Sequence, residues 1–316
     1  MALVETPPGV GHLVKPRKSG LFAEIVRHGG DYLYVAPALL VLLIVIGYPF
    51  CYTVYLSFFD TPPSSPNWYF NGIANYIDIL TDQSFWSITG NTFYWTIGST
   101  VFSVALGFGA ALVVDKEFPG RGVIRGLLLI PWVISAVAAA YIWRWILHSD
   151  YGLISSVLMQ FGFIQAPINF LDSVSLVMPS LIVVNIWKEF PFAMIMLLSG
   201  LQTVPEQLIR AARIDGANTF NVFLHVTLPH LKSVLLITTI LLFVGNLNSF
   251  VLVYLMTGGG PADASQLWIT RVYQLAFQSL QYGQASAFSV ILFIVMLVLG
   301  YYYVKILTSG DARRSQ

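Results

Sequence analysis

Six long apolar runs alternate with shorter polar stretches along this chain, at about 32–59, 86–114, 123–147, 174–201, 232–257 and 284–307. A hydrocarbon core about 30 Å thick takes about 20 helical residues to cross, and each run is long enough. Lipid offers no partner to a backbone N–H or C=O, so runs of this length predict helices. Strands of a membrane barrel would be about 10 residues long and alternate in polarity, which these do not. The expected fold is an all-α polytopic membrane protein with six transmembrane helices. A tail over 1–31 would precede a helical domain over 32–309, and a short tail over 310–316 would follow it. The first run is much longer than the roughly 7–15 apolar residues of a secretory signal, and no small-residue cleavage pattern follows it. It reads as an uncleaved span. Within the first tail, Leu21–Val26 is the one stretch that fits a short surface helix.

The polar stretches give the orientation. Lysine and arginine number four before the first run (Lys15, Arg17, Lys18, Arg27), none in 60–85 and three around the next connection (Lys116, Arg121, Arg125). They then number none in 148–173, three in 202–232 (Arg210, Arg213, Lys232), one in 258–283 (Arg271) and three at the end (Lys305, Arg313, Arg314). Basic residues collect on the cytoplasmic side of a membrane protein. Both termini and the 203–231 connection are therefore expected in the cytoplasm. The aromatic residues Trp68, Trp86, Trp143, Trp145, Tyr151 and Trp268 then fall near the outer interface, where an aromatic belt is ordinary.

Composition strengthens this picture. Of 316 residues, 56% are hydrophobic and 10% charged, against about 25% charged in soluble domains. Mean hydropathy is +0.73. A net charge of +1 gives no reason to expect a nucleic-acid partner. The single cysteine, Cys51, excludes an intrachain disulfide and a cysteine-cluster metal site. His148, His225 and His230 share no ligand spacing, so no metal is expected.

One polar island stands apart, Val204–Asn218 between the fourth and fifth runs. Pro205 suits a first helical turn, where its missing N–H costs nothing, and Glu206 suits the positive end of the helix dipole. Leu208, Ala211, Ala212 and Ile214 recur at three- and four-residue spacing and predict an apolar face turned to the spans. Gly216 is a natural helix stop. A second short helix capped by Asn218 or Thr219 would carry Phe220, Phe223 and Leu224, and Pro229 would end it. From physics alone this is a pair of surface helices, and an amphipathic connector explains it as well as a docking element does.

Three motifs carry a resemblance. Ala211-Ala212-x-x-Asp215-Gly216-Ala217 with a later phenylalanine and closing Leu228-Pro229 resembles the EAA loop of binding-protein-dependent ABC importer permeases. Trp187-Lys188-Glu189-Phe190-Pro191-Phe192 before it and Leu255-Met256-Thr257-Gly258-Gly259-Gly260-Pro261 after it resemble the carbohydrate-uptake, maltose-permease-like branch. The similarity runs from about residue 32 onward. Arg210 stands where that family usually has a glutamate, and Glu206 lies one turn earlier on the same face. The resemblance implies that Glu206, Arg210, Ala211, Ala212, Asp215 and Gly216 form a coupling helix. It also implies a heterodimer with a second permease subunit, two ATP-binding cassette subunits that carry the ATP and magnesium, and a solute-binding protein that delivers a sugar. The location implied is the bacterial cytoplasmic membrane. This chain would hold no cofactor and catalyse nothing. Its one glycine cluster, Gly258–Gly260, lacks the Gly-Lys-Ser/Thr of a phosphate loop.

Polar residues at mid-membrane are functional candidates by default. Asn185, Trp187, Lys188 and Glu189 in the fourth run share a depth with Asn246 and Asn248 in the fifth, and Tyr254 lies two turns on. Pro191 is expected to loosen its helix, and interrupted helices often line transport pathways. Amides would meet hydroxyls and aromatic faces would meet C–H groups, which suits a sugar. The alternative, that the asparagines and Lys188 bond across helices and hold the bundle, stands beside it. Arg144 is read as reaching for the outer interface. A polytopic enzyme, such as a glycosyltransferase or an intramembrane protease, would need a nucleophile or acid/base set, and no Gly-x-Ser-x-Gly or His-Glu-x-x-His occurs. A scaffold without ATP coupling is the remaining class.

Overall fold

A computed structural model describes residues 29–64 and 67–312, so the expected tail over 1–31, with its surface helix, and residues 313–316 fall almost wholly outside it. The chain divides into two units, 1–52 and 53–316. In the first, α1 (Gly29–Leu42) runs through a wide turn at Leu43–Gly47 into α2 (Tyr48–Leu56). Tyr34–Leu56 is apolar throughout, and side chains such as Leu40, Leu43 and Ile46 are exposed around its circumference. A helix apolar on every side is one that lipid can surround.

The second unit is almost entirely helical. A two-stranded antiparallel ribbon, β1 (Phe59–Asp60) and β2 (Tyr69–Phe70), leads to α3 (Ala74–Thr81) and the long α4 (Gln83–Asp115). Next come α5 (Arg121–Val133), α6 (Ala136–Ile146), α7 (Leu153–Gln160) and α8 (Val177–Leu201). The chain continues through α9 (Glu206–Ile214), α10 (Thr219–Val222), α11 (Leu228–Leu247) and α12 (Val251–Thr257), then α13 (Trp268–Tyr273) and α14 (Tyr282–Ala312). Five helices among the described residues are long and apolar enough to span a membrane. A sixth span is made if the bent pair α5–α6 counts as one.

The centre of this unit is the seam between α4 and α8. Ser99, Ser103, Gly107 and Ala111 recur every four residues on α4 and are all buried. A Cβ on Gly107 would lie 2.5 Å from Ala193 Cβ and 2.7 Å from the Phe190 carbonyl oxygen. Without an aqueous driving force between spans, helices associate by close backbone approach over small residues, and this is such a contact. Trp95, Leu181, Val184, Val253 and Leu267 fill the adjoining core.

Three expectations need correction. The third span is not one helix. Its halves meet at 93°, because Ile134 and Ser135 are extended (ψ 132° and 146°) and the Ser135 side chain caps α6 at Ala138 N–H. Pro131 precedes the break and brings no N–H to the helix. The fifth span also differs from the expected 232–257. Helix continues from Thr219 to Leu247 and passes Pro229 without stopping, then breaks at Asn248–Phe250 before α12. A wide turn at Phe223–Thr227 carries the chain past the proline, which sits in the first turn of α11. Conversely, Pro191 does not interrupt the fourth span. It is buried inside the continuous α8, one turn from the tight contact with Gly107. Interrupted helix is thus found in the third and fifth spans and not in the fourth.

Candidate functional sites in the bundle and at the 205–222 hairpin

The middle of the second unit holds a polar network. Asn185 Nδ2 donates to Asn246 Oδ1 at 2.7 Å, Asn246 Nδ2 donates to Thr100 Oγ1 at 3.1 Å, and Trp95 Nε1 donates to the Asn246 carbonyl at 3.0 Å. Both asparagines are buried, at 3% and 4% exposure, so these bonds replace water entirely. They tie α4, α8 and α11 at one level, as the cross-helix alternative anticipated.

Beside the network lies a cavity of about 310 Å³ whose walls include Trp132, Asn185, Glu189, Phe192, Asn246 and Ser249. The spacing explains the wall. Residues 185, 189 and 192 lie four and three apart, on one face of α8, and 246 and 249 lie three apart at the end of α11. Trp132 and Phe192 face each other with ring centres 6.0 Å apart. Glu189 is half-buried.

The other proposed pathway residues are elsewhere. Lys188 turns to the bend in the third span and donates to the Ile134 carbonyl at 3.1 Å. That carbonyl is free because Ala138 N–H, its usual helical donor, bonds instead to Ser135 Oγ. Trp187 packs edge-on against Trp143, with ring centres 5.4 Å apart. Asn248 Nδ2 donates to the Val244 carbonyl in its own helix at 3.0 Å and lies against Met296 Sδ. Tyr254 belongs to a second cavity, of about 590 Å³, with Arg144, His148, Asp172 and Gln278. There Arg144 Nη1 donates to the Leu255 carbonyl at 3.3 Å, and Tyr254 stacks on Phe250 at 4.8 Å. Of the seven residues singled out from the sequence, Asn185, Glu189 and Asn246 come together. Trp132, Phe192 and Ser249 join them and were not singled out. The face-sharing of Phe192 with Glu189 and of Ser249 with Asn246 was a usable signal. Trp132 was hidden by reading the third span as straight.

The polar island forms a hairpin of two short helices. α9 starts after Pro205, and Glu206 Oε2 accepts from Arg210 Nη2 at 2.6 Å, one turn on. That bond and the adjacent positive charge hold the Glu206 carboxyl below the usual range. α9 ends in a left-handed turn at Gly216 (φ +85°), where Ala217 N–H bonds the Ala212 carbonyl and Gly216 N–H bonds the Arg213 carbonyl. This is the Schellman stop, which favours glycine at that position. Asn218 Oδ1 accepts from Asn221 N–H at 2.8 Å and caps α10. Phe223 then packs on Phe108 of α4 at 5.7 Å.

Of the face expected to turn inward, only Ala212 does. Ile209 and Ala212 are the half-buried residues of α9, whereas Leu208, Ala211 and Ile214 are exposed. Ile214 is 86% exposed, and Phe220 on α10 is 68% exposed. The offset is one residue, Ile209 taking the inward position expected of Leu208, and side-chain spacing alone does not fix it.

Comparison with known proteins fixes the family. The profile of the binding-protein-dependent transport system inner membrane component matches residues 103–310. The chain belongs to that family. This transport component is 34% identical over 278 residues to the trehalose/maltose transport system permease protein MalF of Thermococcus litoralis, covering 87% of this chain and 92% of the relative. Its fold is similar to that of a subunit in a bacterial alginate ABC transporter bound to an alginate pentasaccharide-loaded periplasmic protein. That match has a TM-score of 0.76 and 21% identity, over 90% of this chain and 95% of the other. A second structure, of an ABC transporter importing the acidic polysaccharide alginate, matches at TM-score 0.73 and 22% identity, over 92% and 98%. The profile match contains the 185–192 wall, the Asn185–Asn246 pair and the hairpin, whereas Trp95 and Thr100 of the network precede it.

Proposed function

We propose that this transport component is one of two different permease subunits of a carbohydrate importer. Its termini and the 205–222 hairpin face the cytoplasm of a bacterial cell, and the hairpin receives motion from an ATP-binding cassette partner. A solute-binding protein delivers the sugar from the opposite side, and ATP with magnesium binds on the two partner ATPases. The alternating lysine and arginine counts support the orientation. The trehalose/maltose relative supports the sugar.

One observation carries the coupling role. The hairpin closes its own backbone through the Schellman turn and the Asn218 cap, yet leaves Leu208, Ile214, Phe220 and Leu224 exposed. Large apolar side chains clustered on a polar segment mark an interface. Phe223 on Phe108 links the hairpin to α4, and α4 carries the network beside the cavity. Displacement of the hairpin would reach Thr100 and Asn246 through one rigid helix. The cavity beside Glu189 would be the stretch of pathway built by this chain, with Asn185 and Ser249 for hydroxyl groups and the Trp132–Phe192 pair for the sugar face. Lys188, Trp187 and Arg144 would hold the pathway's walls through the bends they cap or pack.

Cross-linking tests the docking. With Cys51 replaced by serine and Ile214→Cys introduced, a bifunctional thiol reagent should join this chain to the ATPase in assembled complexes. Cross-links only to the second permease, or none while Ser199→Cys on α8 behaves identically, would show that the hairpin does not meet the ATPase.

A further inference from the structure

We infer that the cavity beside Glu189 selects its ligand by charge: it accepts an uncharged or aminated polyhydroxyl ligand and rejects a carboxylated one. This rests on the reading of that cavity as part of the sugar pathway.

Glu189 lines the cavity and makes no hydrogen bond or ion pair with any described residue. Among the described residues, it is the one ionisable side chain in that wall. No described lysine or arginine lines the cavity, although the charge of Lys188 still acts on Glu189 through space. Lys188, its chain neighbour, donates to the Ile134 carbonyl at the bend of the third span. Arg144 donates to the Leu255 carbonyl in the other cavity. Lys188 answers a carbonyl freed at the bend of the third span, and Arg144 one near the C-terminal end of α12, where the last carbonyls lack helical donors.

The remaining groups point the same way. Asn246 has both amide atoms engaged, Oδ1 by Asn185 and Nδ2 by Thr100. Asn185 donates one amide N–H to Asn246, which leaves its Oδ1 and its second N–H outside that bond. An ionised carboxylate accepts only. The wall thus holds one anionic acceptor, neutral donors such as the Ser249 hydroxyl and the Trp132 indole N–H, and no described cation, which matches ligand hydroxyl or ammonium groups. A ligand carboxylate would meet Glu189 with no described cation in the cavity wall to receive it. At about 5 Å and an effective dielectric of about 20, such repulsion is on the order of a hundredfold in affinity.

The test uses the assembled transporter in lipid nanodiscs without the binding protein, so that the binding protein's own selectivity does not enter. Calorimetry would compare maltose, an amino-disaccharide and a diuronate on wild type, Glu189→Gln, Glu189→Ala and Gly245→Trp. Gly245 lines the same cavity, and a Cβ there would meet nothing within 4 Å, so tryptophan is the variant chosen to fill the cavity. Wild type should bind maltose and the amino-disaccharide comparably, and the diuronate at least roughly tenfold more weakly. Glu189→Gln should bring the diuronate close to maltose, and Glu189→Ala repeats the test should the amide variant fail to assemble. An unchanged ratio in these variants, with maltose binding lost in Gly245→Trp, would overturn the charge inference and leave the cavity assignment standing. Maltose binding that survives Gly245→Trp, or is absent in wild type, would overturn the cavity assignment and the inference with it.

Discussion

The Asn185–Asn246–Thr100 network and the 205–222 hairpin hold many of the polar side chains of a mostly apolar chain, and they use them in opposite ways. In the network each amide reaches to another helix, over sequence separations of 61 and 146 residues. In the hairpin each polar group closes its own turn, with separations of four for Arg210–Glu206 and three for Asn221–Asn218. Long-range bonds in a dry interior fix the relative positions of α4, α8 and α11. Short-range bonds in water make a unit that keeps its shape without neighbours and leaves its apolar side chains uncovered. One region bonds across the chain and the other within itself, as the proposed docking of the hairpin on an outside partner requires.

Variants can break or sharpen this contrast. The largest effect is expected at the seam that brings the network's helices together. Gly107→Leu drives a side chain into the α8 backbone and should cost about 3 kcal/mol or more, read as loss of folded protein after detergent extraction. Gly109→Leu, with open space around it, should leave the yield unchanged. Asn246→Leu should cost about 1–2 kcal/mol in thermal stability, because Asn185 and Thr100 lose their partner in a buried site. Lys188→Met should lower stability by about 1 kcal/mol by leaving the Ile134 carbonyl unanswered, and Lys188→Arg should recover most of it. The smallest effect belongs to the hairpin. Arg210→Ala removes an exposed pair and should leave the melting temperature unchanged. A fall comparable to that of Asn246→Leu would mean that the hairpin is part of the packed bundle after all.

Much of this was legible beforehand, for identifiable reasons. Apolar length located five long apolar helices and the bent pair, because lipid enforces helix wherever a long apolar run occurs. The hairpin's Gly216 stop and Asn218 cap were readable because capping depends on residues two or three apart. The bend after Pro131 was not read, because a proline near a span's middle is as compatible with a continuous helix as with a break. Pro191 in α8 shows the first outcome and Pro131 the second. The cavity was read by half. Asn185, Glu189 and Asn246 were placed by depth, but depth does not tell which way a helix faces. Lys188 was therefore grouped with Glu189 although the two point to different structures. The direction of the α9 apolar face was missed because it depends on tertiary docking of a short helix, with Ile209 taking the position expected of Leu208.

The central claim is that the hairpin transmits an ATPase's motion to the bundle, and one substitution tests it most directly. Gly216 has a φ of +85° and donates its N–H to the Arg213 carbonyl. Proline can supply neither the dihedral nor the donor, while a Cβ at this position would meet nothing within 4 Å. Binding-protein-stimulated ATP hydrolysis by the assembled complex should fall at least roughly tenfold in Gly216→Pro, with assembly and thermal stability of the membrane part unchanged. Full stimulated hydrolysis in Gly216→Pro would contradict the account and leave the hairpin a connector between two spans.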